Sequence, residues 1–142
     1  RNMNTKVLIA AVVSGLVAML LGWGIYGFAL KGYFDDNTSR AVLSLFRKDP
    51  NWIGMIIGNI AWGGLIAWVL WKMGVTTAGG GFIPGMIIAG LVAVAYDMFF
   101  YSMLLWYTGK MVVVVDVVVS AVTGGIMGAV AGWMLGMGKK SG

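Results

Sequence analysis

Two aspartates stand where a carboxylate is costly. Asp97 lies in "VAVAYDMFFYSM" (residues 92–103) and Asp116 in "VVVVDVVVSAVTGG" (residues 112–125), each among apolar side chains. A lone carboxylate in hydrocarbon costs at least ~2.5–3.5 kcal/mol, so each needs a partner or a proton. Three chemistries fit. The acids can form a hydrogen-bonded knot that fixes helix register. They can hold a proton or a small cation, for which carboxylate and amide oxygens are suitable ligands. They can also meet a buried Arg or Lys of a larger partner.

Spacing groups them with other polar residues. Gly90, Ala93, Asp97 and Tyr101 share a helical face, and so do Asp116, Ser120 and Thr123. If a turn centres on Thr108, the acids lie roughly 16 and 12 Å along their helices from it, at about 1.5 Å per residue. Asn59 and Tyr26 fall in the same half of the bilayer. The expected site is a buried polar cluster of Asp97, Asp116, Asn59, Tyr101, Tyr26 and Ser120, serving as a structural knot or an ion or proton site.

Other chemistry is thinly supplied. The chain has no Cys, His or Glu. Disulfides, Cys/His zinc sites, His-ligated haem and Ser–His or Cys–His catalysis are therefore excluded. No catalytic residue, metal ligand or cofactor is expected, and the chain reads as a non-enzyme. Its basic residues sit singly or in pairs at the ends of apolar runs. That placement suits anionic headgroups, not nucleic acid.

The elements that must position these residues are helices in a membrane. Of 142 residues, 60% are hydrophobic and 11% charged, against about 25% charged in ordinary soluble domains. Four apolar runs, Val7–Leu30, Trp52–Trp71, Phe82–Trp106 and Met111–Met137, each reach the ~20 residues that cross ~30 Å of hydrocarbon. Lipid cannot satisfy backbone groups, so even the valine-rich fourth run is expected to be helical. The first run exceeds a signal peptide's apolar core and is expected to be a retained helix. The whole chain, 1–142, reads as a single all-α membrane domain with four transmembrane helices.

The connections carry their own signals. Residues 38–48 place Ala41, Val42, Leu45 and Phe46 opposite Arg40, Ser44, Arg47 and Lys48, which predicts an interfacial amphipathic helix in the first loop. "TTAGGGFIPG" (residues 76–85) reads as a flexible connection with Pro84 in a first helical turn. "WYTGK" (residues 106–110) reads as a tight turn. Four crossings put both termini on one side with Lys6 and Lys72, and Lys31, Arg40, Arg47, Lys48 and Lys110 on the other. With Arg1, Lys139 and Lys140 the basic residues divide evenly; cytoplasmic termini are the chosen orientation.

Glycine supplies a packing code. Gly124, Gly128, Gly132 and Gly136 form a glycine zipper at four-residue spacing, and Gly54 and Gly58 form a shorter small-residue pair. Both predict helix-packing seams, filled either within the chain or by another copy or subunit.

"LLGWGIYGFALKGYF", "AYDMFFYSM" and "VVVVDVVVSAVTGGIMGAVAG", in that order, resemble a family of small uncharacterised bacterial membrane proteins with a G-W-x-x-Y-type first helix. The resemblance implies four membrane helices and a bacterial inner-membrane location, and it supplies no activity, ligand or catalytic residue. The leading expectation is a structural or accessory subunit of a larger membrane assembly, in contact with lipid and with other subunits or itself. The alternative is a small proton- or cation-coupled transporter or channel using Asp97 and Asp116.

Overall fold

The computed structural model describes residues 3–137, which are helical apart from turns and an isolated backbone bridge. Helix α1 (Met3–Gly24) runs into a π turn (Ile25–Ala29). It is followed by α2 (Lys31–Asp36), α3 (Arg40–Leu43), α4 (Trp52–Lys72), α5 (Ala78–Met103) and α6 (Met111–Gly136). Four segments, Thr5–Ala29, Trp52–Lys72, Ala78–Met103 and Met111–Gly136, are long and apolar enough to cross a membrane. The fold is an all-α, four-helix membrane architecture. Of the basic residues weighed for orientation, Arg1, Lys139 and Lys140 lie outside the described residues.

Local chemistry sets the ends. The Asn51 side chain accepts from the Gly54 N–H at 3.0 Å, capping α4, and Thr77 Oγ1 accepts from Gly80 N–H at 2.9 Å, capping α5. Helix α4 stops at a glycine in the left-handed region, Gly74 (φ 77°). There Val75 N–H donates to Leu70 O and Gly74 N–H to Trp71 O, both at 3.0 Å.

Helix α6 is central and touches α1, α4 and α5, whereas α4 and α5 meet only sparsely. Near the chain ends, small residues let α1, α4 and α6 close around Ile66, Leu70 and Met127, all fully buried. A Cβ on Gly63 of α4 would lie 2.6 Å from Gly15 N and 2.8 Å from Ser14 Oγ of α1. The expected pair Gly54 and Gly58 makes no such contact, because both lie on an exposed face of α4, although a Cβ on Gly15 of α1 would meet the backbone of Asn59 and Ile60 right beside Gly58. Nothing lies within 4 Å of a Cβ on Gly58, and one on Gly54 would meet only Asn51. The α4 seam residue is therefore Gly63.

The α6 seam is filled from within the chain. Helix α5 buries Gly81, Gly85, Ala89, Ala93 and Asp97 at successive four-residue steps. Added Cβ atoms on Gly81 and Gly128 would each run into the other's carbonyl oxygen, and Gly85 meets Gly124 in the same way. Beyond the start of α5, Gly132 and Gly136 lie against the backbone of Thr77 and Thr76. The glycines at residues 79–81 are thus helical rather than a flexible connection, and Gly81 is the one packed against α6. Pro84 sits in the seventh position of α5, past its first turn.

The loops differ from expectation in length. Instead of a helix over 38–48, α3 is a single turn capped by Ser39, and a separate α2 precedes it. The chain is held before and after that turn. Thr38 Oγ1 donates to Phe34 O at 2.6 Å, Asn37 Nδ2 donates to Tyr33 O at 2.8 Å, and Pro50 disfavours helix in the residue before it. Helix α5 ends at Met103 rather than Trp106, and residues 104–110 form an open connection rather than a tight turn. Ser39 N–H donates to Trp106 O and Thr108 N–H to Asn37 O, both at 2.8 Å, so the two loops are stitched across the Thr38–Tyr107 bridge.

Candidate functional site

The polar residues gather in the loop-side half of the bundle. Asp97 continues the small-residue face of α5, and the register set by Gly81–Gly128 and Gly85–Gly124 places it opposite the first turn of α6. Helix ends at Met103 and Met111 put Asp97 and Asp116 about 9 and 8 Å from them; α5 ends three residues earlier than expected, which brings Asp97 nearer its helix end, while α6 starts at Met111 as expected.

Asp116 is held from α1. The Tyr26 phenol donates to Asp116 Oδ1 at 2.6 Å, a length typical of a hydroxyl bonded to a carboxylate. Tyr26 belongs to the π turn, closed by Leu30 N–H donating to Ile25 O at 2.7 Å. Such a turn shifts the angular phase of a helix locally, and π turns recur at functional sites. Ser120, one turn along α6, lines the same cavity wall as Tyr26 and Asp116.

Asp97 is 5% exposed, and its side chain lies within hydrogen-bond reach of Asp116. Its Oδ2 has no hydrogen-bond partner among the described residues. No lysine or arginine among the described residues pairs with either acid; Lys31 bonds Asp35 at 2.6 Å instead. Two carboxyls this close in an apolar surround cannot both be charged cheaply, so the arrangement has room for a shared proton.

A cavity of about 340 Å³ opens beside Asp116. Its walls come from Tyr26 and Gly22 of α1, Asn59 and Trp62 of α4, Ala89, Ala93 and Tyr96 of α5, and Ser120 and Thr123 of α6. It lies where α4 and α5 diverge, with Tyr96 60% exposed at its edge. An adjoining apolar hollow of about 530 Å³ shares Ala18, Gly22, Tyr26 and Asn59 and runs toward Trp23 and Trp52.

The loop stitch closes the opposite side. Phe34 of α2 is buried, with its ring 4.9 Å from Tyr26 and 6.4 Å from Tyr107. Burial, with the carboxyls of Asp116 and Asp97 nearby, pushes the Tyr107 phenol above its ordinary range, so it stays a neutral donor.

Four of the six expected residues therefore meet: Tyr26, Asp97, Asp116 and Ser120. Asn59 lines the cavity, but its amide donates to Met55 O at 2.8 Å rather than to an acid. Tyr101 stands apart, 49% exposed, because α5 overhangs the start of α6 by that turn. Trp62, Tyr96 and Tyr107 were not among the expected site residues. Trp62 and Tyr96 lie amid apolar residues without a distinguishing pattern, and Tyr107 reads as an interfacial anchor. Among the described residues no group of three or more acidic side chains could hold a metal ion. Compared with protein-family models, curated proteins and solved structures, the chain matches none.

Proposed function

We propose that this chain is a small non-enzymatic transport protein of the bacterial inner membrane, its termini cytoplasmic, which takes up and releases a proton or small cation at the Asp97–Asp116 pair. The observation that carries the reading is the placement of Asp116. It forms part of a cavity wall, is oriented by Tyr26, and is backed by the buried carboxyl of Asp97, with no cation among the described residues to neutralise either. Intramembrane acids facing a cavity mark ion pathways more often than lipid-facing structure. The G-W-x-x-Y segment that carries the family resemblance contributes Gly22 and Tyr26 to the same wall. The accessory-subunit reading leaned on the glycine seam, and with α5 and the Thr76–Thr77 backbone lying in it, the seam offers no open face to a partner.

The test is flux in liposomes carrying an internal pH dye, under imposed pH and Na⁺ gradients, with matched size-exclusion profiles as a folding control. Wild type should move protons or Na⁺, and Asp97→Asn and Asp116→Asn should each abolish that flux. Absence of wild-type flux under both gradients, or full flux in both variants, removes the reading.

A further inference from the structure

We infer that the cavity beside Asp116 receives a lipophilic monocation, an amine or quaternary onium with aromatic or alkyl substituents, whose charge seats against the Asp116 carboxyl. The inference deepens the proposed function and rests on it: the same carboxyl pair holds a proton or an organic cation in turn.

The lining selects this ligand class. Three aromatic side chains, Tyr26, Trp62 and Tyr96, share the walls with a carboxyl and with no basic residue. Ring faces and a carboxylate both attract a positive charge, most strongly where water is scarce. The carboxyl of Asp97 lies buried behind Asp116, its Oδ2 unpartnered among the described residues, and nothing in the cavity lining attracts an anion.

Size and access narrow it further. A bare Na⁺ would rattle in about 340 Å³, a volume within the range of small-molecule sites. The opening lies between α4 and α5, which meet only sparsely, so a ligand dissolved in lipid enters sideways. The adjoining apolar hollow gives room for a ligand's substituent past Gly22 toward Trp23. Exchange of one cation for one proton conserves the charge of the site. A monocation seating on the pair replaces the proton the two carboxyls share, and that proton leaves to solvent.

The experiment titrates the chain in detergent micelles with tetraphenylphosphonium, using tetraphenylborate as an anion of the same shape. Expected are saturable phosphonium binding with tryptophan quenching, release of about one proton per cation bound in weak buffer, and no borate binding. Asp116→Asn keeps an acceptor for Tyr26 and should weaken phosphonium binding about tenfold or more, the scale of one charged contact. Tyr96→Leu, at the exposed rim, should weaken it several-fold, about the scale of a cation–ring contact, with the fold intact. Equal borate binding, unchanged affinity in Asp116→Asn, or no phosphonium binding overturns the inference. If phosphonium fails to bind while Asp97- and Asp116-dependent proton or Na⁺ flux persists in liposomes, only the ligand class falls. If binding and flux are both absent, the proposed function falls with it.

Discussion

The Tyr26 phenol and the Asp116 carboxylate are joined at 2.6 Å across 90 positions of sequence, tying the π turn at the end of α1 to the first half of α6. Each residue resolves the other's difficulty. A half-buried carboxylate among apolar helices needs a donor, and a phenol inside a bundle needs an acceptor. The bond also aims Asp116 at the cavity rather than at lipid, so one contact serves both the packing of the bundle and the chemistry of the site.

Removing that donor should therefore cost stability in proportion to the charge it serves. Tyr26→Phe is expected to lose about 1.5–3 kcal/mol, the scale of a hydrogen bond to a charged group. In an Asp116→Asn background the same change should cost about 1 kcal/mol, the neutral value. Reversible unfolding in mixed micelles measures the cycle, and equal costs in both backgrounds would show that the bond carries no charge.

Glycines should separate into two classes by what a methyl group would meet. Gly128→Ala and Gly85→Ala push a Cβ into backbone across the α5–α6 seam, and backbone cannot rotate away. Each should cost roughly 1–3 kcal/mol, the scale of overpacking. Gly58→Ala and Gly22→Ala meet nothing within 4 Å and should be neutral, or stabilising by up to about 1 kcal/mol through helix propensity. Melting temperatures in detergent decide, and a destabilised Gly58→Ala would contradict the packing.

The four spans were legible because length and hydropathy leave a membrane chain only the helix. The α6 seam was legible from its strict spacing. Its partner on α5 was not, since Gly81 and Gly85 fall in a stretch that reads as loop by the rules of soluble proteins. In a bilayer those glycines bring backbones together instead of ending helices. Asp97, Asp116, Tyr26 and Ser120 could be grouped by depth and face. Tyr101 could not be excluded without the register of α5 on α6, which leaves no turn of α6 opposite it. The cavity depends on how α4 and α5 diverge, and no local pattern encodes that.

Asp97 offers a direct way to tell a structural knot from a working carboxyl. Its neighbours along the same face of α5 are Gly81, Gly85, Ala89 and Ala93, so alanine continues the seam without a clash. It also removes a buried oxygen that lacks a partner. Asp97→Ala should be neutral, or stabilising by up to about 1 kcal/mol, while flux is lost; a buried polar group kept at a cost to stability is the mark of function. A loss of more than about 2 kcal/mol in chemical unfolding, with flux retained, would make the residue a structural knot.

The stitched loops predict a cross-link. Ser39 N–H to Trp106 O and Thr108 N–H to Asn37 O flank Thr38 and Tyr107, which makes those two a non-hydrogen-bonded antiparallel pair. Such residues sit about 4.5 Å apart at Cα, within the reach of a disulfide. The chain has no native cysteine, so a Thr38→Cys, Tyr107→Cys double variant carries no competing thiol. Mild oxidation should close it in most molecules, read as a gel shift reversed by reductant. A control pairing Lys48→Cys with Tyr107→Cys should stay open, because Lys48 lies outside the stitch on an exposed bend. The cavity opens on the far side between α4 and α5, so the cross-linked protein should keep its affinity for an onium probe. Lost affinity would mean that ligands reach Asp116 through the loops and not from the membrane.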